Sequence, residues 1–534
     1  MQTTVTDHSE VALSFENQFA NELPGDQDTE NTRRQVTGAC YSFVAPTPVP
    51  APALVAYSKE AAAELGLSEE ECRAPWFKDV FSGNLILGDM KPYAMCYGGH
   101  QFGNWAGQLG DGRAINLGEI VNAANQRWTL QLKGAGPTPY SRSADGLAVL
   151  RSSLREFVCS EAMYHLGIPT TRALSLILTG DQVLRDMFYD GHPELEPGAV
   201  VCRTSPSFIR FGNFEILSSR KEYDLLEQLL RFTIKNDFPE IHGSSDVDRY
   251  LQWFTDVCRK TAQMIVHWMR VGFVHGVMNS DNMSVLGLTI DYGPYGWLEG
   301  YDPSWTPNTT DAQGRRYCYG NQPYMAQWNL MQLANAIYPL IKEEKVLQEA
   351  LESYRLTFQE EWQQTLRAKL GLHTDEKHDD QLISSLLELL TKTETDMTIF
   401  FRDLANVDVS EKDGDKLLHV VSKSFYSPDA IDDQHLSNLK SWLHLYRLRL
   451  LRNDLADEQR KQKMNRVNPK YVFRNYLAQQ AIDKVQEGDY SEVEELLELF
   501  RNPYDEQPER HHYAAKRPEW ARNKPGCSML SCSS

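Results

Sequence analysis

HGVMNSDNMSVLGLTIDYGP, His275 to Pro294, decides how the rest of the chain is read. Asn282 and Asp291 stand nine residues apart in it, on either side of the expected strand turn SVLGLTI. Both offer hard oxygen donors, and Mg²⁺ accepts one or two such side chains beside phosphate oxygens and water. Asp281, next to Asn282, is the nearest carboxylate able to accept a proton. His275 reads as a structural residue that holds the loop.

The order of these residues resembles the metal end of a protein kinase site, where H-R-D-x-x-x-x-N precedes D-F-G. Counting from His275, the position of the kinase base is Val277, which cannot take a proton. The stretch therefore poses a choice between an inactive kinase and an enzyme that moves another part of a nucleotide.

Working back from His275, YLQWFTDVCRKTAQMIVHWMRVG is an amphipathic helix with Phe254, Val257, Thr261, Met264, Ile265 and Trp268 on one stripe and Gly272 as its stop. Further upstream, RAINLGEIV and RWTLQLKGAG read as two strands of a hairpin. Period two places Trp128, Leu130 and Leu132 on one face and Thr129, Gln131 and Lys133 on the other. SADGLAVLRSSLREFVCSEAMYHLGIP reads as a helix, with Asp145-Gly146 at its start. Glu156, on that helix, follows Lys133 by twenty-three residues, and in kinases such a pair locks the lysine in place.

Other residues suit a phosphate. Gly107, Gly110 and Gly112 let backbone approach an anion, and Arg113 follows them directly, although a glycine cluster alone is equally a surface turn. Arg203 and Arg210 frame RTSPSFIRFGNFE and can bracket phosphates, or simply pair at the surface. Asp145-Gly146 is either a helix cap or part of a phosphate site.

The gross numbers narrow the class. The 534 residues are 41% apolar and 24% charged, enough for a sizeable core and several domain-sized units. A net charge of −19 repels nucleic acid, so a polyphosphate needs a local basic island. Nine scattered cysteines are no disulfide scaffold. The first thirty residues hold seven acids and no Lys or Arg, unlike a secretory or mitochondrial leader, and no apolar run is long enough to span a membrane. Cytoplasm, with no nucleic-acid or membrane partner, is the simplest expectation.

The fold expected is α+β with two lobes. Residues 1–84 form an N-terminal extension with an alternating-proline arm, 85–214 a glycine-rich small lobe, and 215–345 a larger lobe with the metal site. Residues 346–502 form a helical region and 503–534 an extended tail.

YGGHQFG, GDGR, LQLKGAGPTPYSR, RTSPSFIRFGNFE, HGVMNSDN, DYGP and the terminal GCSMLSCSS occur in this order. Together they resemble the selenoprotein O family, also called the YdiU family, over nearly the whole chain from Phe15. The resemblance implies a protein kinase-like pseudokinase fold in which ATP is bound inverted. AMP then passes to a protein Ser, Thr or Tyr hydroxyl and pyrophosphate leaves. It also implies UMP transfer from UTP when Mn²⁺ is supplied. By motif position, Gly110, Gly112, Arg113, Lys133, Asp145, Gly146, Arg203, Arg210 and Asp291 would bind the nucleotide. Asn282 and Asp291 would hold Mg²⁺ or Mn²⁺, Asp281 would accept the proton, and Glu156 would support Lys133.

Cys532 stands where eukaryotic members carry selenocysteine, and bacterial relatives can tie this tail to a cysteine in the loop after DYG. Here that loop reads YDPSWTPNTTD, without cysteine. Cys318 is a substitute partner for Cys532 or Cys527, and free tail thiols are the alternative. Two other functions remain open: a conventional protein kinase with Asp281 as base, and a non-catalytic nucleotide-binding scaffold.

Overall fold

The computed structural model describes residues 3–5 and 13–531. Its centre is a seven-stranded antiparallel sheet. The strands are β1 (Tyr41–Phe43), β2 (Ala53–Tyr57), β3 (Tyr93–Met95), β6 (Ala114–Val121), β7 (Arg127–Lys133), β8 (Arg172–Arg185) and β9 (Glu194–Ser205). Between β3 and β6 the chain makes a separate hairpin, β4 (Gly98–Gln101) and β5 (Asn104–Gln108). The sheet order is β1-β3-β6-β7-β9-β8-β2.

Both edge strands come from the segment expected to be an N-terminal extension, so the sheet runs across residue 84. The proline run between them is the link from one edge of the sheet to the other. Alternation buries the sheet on both faces. Leu130, Leu132, Ile115 and Val200 pack with Phe77, Val80 and Phe81 of the helix Pro75–Phe81. On the other face Leu176, Ala199 and Val201 share a core with helix α1 (Leu150–His165).

Helix α1 begins later than its sequence suggests. Residues 147 and 149 are drawn into bridges with Ala135 and Gly198, so the chain stays extended until Leu150. Its N-cap is Val149, which makes no side-chain cap, and Asp145 caps nothing.

After the sheet come α2 (Phe211–Ser219), α3 (Asp246–Val271), α4 (Gln322–Ile341) and α5 (Glu344–Lys369), with shorter helices continuing to Phe500. The whole predicted stripe of α3 is buried, and Gly272 ends the helix at φ +79°, a left-handed conformation that glycine adopts without strain. SVLGLTI forms no strand. Ser284 and Thr289 make single bridges to Arg210 and Thr170, because the neighbours they meet are loop segments.

The tail is also not simply extended. It makes helical turns at Pro508–Ala514 and Glu519–Ala521, then packs Cys527 and Leu530 inside. Leu530 donates its N–H to Pro307 O and accepts from Thr309 N. Among the described residues no helix is long and apolar enough to cross a membrane.

Candidate nucleotide and metal site

A cleft of ≈ 670 Å³ opens between the sheet and the loop from His275 to Pro294. Register explains its cationic wall. Arg203 on β9 pairs with Gln131 on β7, and Lys133 lies two residues further along β7, so all three side chains leave the same face. That face meets α1. Lys133 Nζ lies 2.6 Å from Glu156, and Arg203 Nη1 donates to the other Glu156 oxygen at 3.0 Å. Arg203 also donates to Gln131 Oε1.

Asp291 joins the two sides of the cleft. Arg203 donates to its Oδ1 at 2.5 Å and Arg210 to its Oδ2 at 2.5 Å, while Lys133 stands 3.9 Å away. Arg210 rests on the ring of Tyr97, 4.5 Å from its centroid, and binds the backbone oxygen of Asp281. Burial alone would raise the Asp291 carboxyl, but Arg210, Arg203 and Lys133 outweigh it and hold it well below the usual carboxylate range. Lys133 is pushed down by burial, against the pull of Glu156. Three buried cations thus converge beside Glu156, Asp291 and Asp111, a basic cluster that suits a polyphosphate.

Asp281 meets a different environment. It is buried, and its pKa is pushed up to about 7 by that burial, which Gln101 and Arg210 only partly offset and Glu215 reinforces. Gln101 Nε2 donates to its Oδ2 at 3.3 Å, and Oδ1 has no hydrogen-bond partner among the described residues. Val277 lines the same cleft and offers no proton acceptor. His275 is buried against Trp268, its ring planes 20° apart. Val277 N–H points to its Nδ1, so Nε2–H donates to Ile290 O at 2.8 Å. It braces the loop.

Asn282 donates Nδ2–H to Val277 O at 3.0 Å, which leaves its carbonyl oxygen for a ligand. Each Asp291 oxygen keeps a second lone pair beside its arginine. These two hard donors border the cleft and could hold a divalent cation, and their chemistry fits Mg²⁺ or Mn²⁺.

Gly110, Gly112, Arg113, Asp145 and Gly146 line the same cleft. Gly110 needs its lack of a side chain, since a Cβ there would lie 2.4 Å from Tyr140. Gly107 belongs to β5, outside the cleft lining. Asp145 is gripped by both terminal nitrogens of Arg185, at 2.7 and 2.8 Å.

A family model described as protein adenylyltransferase SelO matches residues 27–501. The chain belongs to the SelO family. A protein nucleotidyltransferase YdiU of Rhodopirellula baltica is 58% identical over 536 residues, spanning 98% of this chain and 99% of its own length. The protein of the same description from Aromatoleum aromaticum is 58% identical over 528 residues, with the same coverage. That from Flavobacterium johnsoniae is 57% identical over 522 residues, again covering 98% and 99%.

In this SelO member Cys318 and Cys527 are buried free thiols. Burial raises both, Cys527 to about 11, which disfavours the reactive thiolate. Cys532 lies outside the described residues. The sequence reading missed Gln101, Gln131 and Arg185 as site residues. Gln131 was within reach, since it shares the Lys133 face by strand period. Arg185 carried no local signal: it reaches Asp145 only because β8 and β9 form a long hairpin.

Proposed function

We propose that the protein transfers AMP from ATP to Ser, Thr or Tyr hydroxyls of proteins and releases pyrophosphate. The observation that carries this reading is the convergence of Lys133, Arg203 and Arg210 on Asp291 in the one cleft that Asp281 also lines, with Val277 at the kinase-base position.

In this reading the β- and γ-phosphates lie against Lys133, Arg203 and Arg210, with Arg113, Gly110, Gly112, Asp145 and Gly146 completing the nucleotide site. The α-phosphorus then faces Asp281. The acceptor hydroxyl attacks it, Asp281 takes the hydroxyl proton, and the cations stabilise charge as it gathers on pyrophosphate. Glu156 keeps Lys133 and Arg203 in position. A divalent cation held by Asn282 and Asp291 would neutralise phosphoryl oxygens and align them. With Mn²⁺ the same site is proposed to accept UTP and transfer UMP. The sheet with α1 and the helices from α2 onward form the two lobes of a protein kinase-like fold.

The deciding experiment supplies Mg²⁺ and ATP labelled separately at the α- and γ-phosphates. Label retained on protein from the α position is the expected result. Retention of γ label alone would mean phosphoryl transfer, and retention of neither would leave a nucleotide-binding scaffold.

A further inference from the structure

The β4–β5 hairpin is seated on the catalytic loop residue by residue. His100 N–H donates to Ser280 Oγ at 2.7 Å, Gln101 Nε2 to Asp281 Oδ2 at 3.3 Å, and Phe102 N–H to Asn279 Oδ1 at 3.3 Å. Outside this register the strand is held again. His100 Nδ1 lies 2.6 Å from Glu215, and Phe102 N–H also reaches Tyr317 OH at 3.0 Å.

The fit is close enough to require glycine. A Cβ on Gly99 would lie 2.7 Å from Asp281 Oδ1. That oxygen is shut off from solvent and has no hydrogen-bond partner among the described residues. Asp281 and Gln101 nevertheless both line the cleft, so Oδ2 is the carboxylate oxygen that serves it. Gln101 is the one side chain hydrogen-bonded to Oδ2 among the described residues, and it uses one of that atom's two lone pairs.

We propose that Gln101 is a positioning residue for Asp281, and that Oδ2, with its second lone pair, takes the proton of the acceptor hydroxyl. The inference rests on the reading of Asp281 given above. In the step, the acceptor O–H bond breaks and its proton moves to Oδ2. The new O–P bond forms at the α-phosphorus as the bond to pyrophosphate breaks. Gln101 fixes the carboxylate plane during the attack and exchanges no proton.

The test uses the full chain, Mg²⁺ and α-labelled ATP, with the chain itself and added casein as acceptors. Gln101→Met keeps the length and loses the donor. Its kcat is expected to fall about tenfold, with the KM for ATP within about twofold of wild type, the scale of a modest misalignment. Gln101→Glu sets a like charge against Asp281 and is expected to be slower still. A merely structural glutamine would tolerate both near-isosteres. In an Asp281→Asn background, Gln101→Met should add no further loss, because both changes act through one group. A wild-type rate in Gln101→Met, or losses that multiply in the double variant, would overturn the inference while leaving Asp281 in place. Full transfer by Asp281→Asn alone would instead remove the role given to Asp281, and this inference with it.

Discussion

Two aspartates ten positions apart in the chain, Asp281 and Asp291, line one cleft and are driven in opposite directions. Asp281 is buried and Asp291 is partly exposed. Asp291 meets three cations and is held ionised, whereas Asp281 meets one glutamine amide, Arg210 and a neighbouring acid and is pushed up to about 7. Burial presses both carboxyls upward, so the opposite outcomes come from partners. Divergent environments of this kind assign roles to paired carboxylates: the permanently charged one serves as ligand and counter-ion, and the one near neutrality can accept a proton.

The sharpest way to break this contrast is Asp291→Ala. It removes the proposed metal donor, leaves Arg203 with Glu156 alone as carboxylate partner and takes from Arg210 its ion pair; the two side chains are only 3% and 1% exposed. Label transfer from α-labelled ATP should fall at least about a thousandfold. Thermal unfolding should show a loss of about 3 kcal/mol from the uncompensated charges. Activity left intact would exclude Asp291 from the site.

Asp281→Asn comes next. It should lower kcat roughly a hundredfold or more while leaving nucleotide affinity, measured by calorimetry, unchanged. Wild-type rate should rise with pH through about 7, because only the ionised carboxylate can take a proton, and the variant should lack that rise. A rise that persisted in Asp281→Asn would assign the titration elsewhere.

Arg203→Lys keeps the charge but loses the fork that spans Glu156, Gln131 and Asp291. A loss of about tenfold in kcat/KM for ATP is expected, since a point charge cannot make all three bonds. An unchanged value would mean that charge alone suffices on this wall.

The smallest effect is a control outside the cleft. His267 on α3 is pushed down to about 4 by burial, with Arg270 adding to the shift. The unfolded chain therefore binds more protons between about pH 4 and 6.5, and stability falls as pH drops through that window. His267→Gln should flatten that fall by about 2 kcal/mol in denaturant titrations, discounted for the partial exposure of the ring. Its transfer rate at neutral pH should not change.

Much of the site was legible because local pattern sets it. Strand alternation put Lys133 and Gln131 on one face, and the helical period put Glu156 on a helix able to meet them. The order of Asn282 and Asp291 marked a pair of oxygen donors. What stayed hidden depends on distant pairing. The edge strands at Tyr41–Phe43 and Ala53–Tyr57 are hidden because they are short and flank the alternating prolines, and each is completed by pairing with a partner strand distant in sequence. The start of α1 is set by bridges to Ala135 and Gly198, which no helical period records. The grip of Arg185 on Asp145 depends on a hairpin that spans residues far apart in sequence.

Leu530 fastens the loop beyond Asp291 through Pro307 and Thr309. During synthesis the sheet, α1 and the Asp291 segment all leave the ribosome well before residue 530 does. Domains tend to fold in order of emergence, so the sheet and α1 can be in place while this loop still waits for its fastening. A ribosome-bound nascent chain stopped before residue 530 would carry Lys133, Arg203, Arg210 and Asp291 with the loop at Pro307 and Thr309 still unclasped.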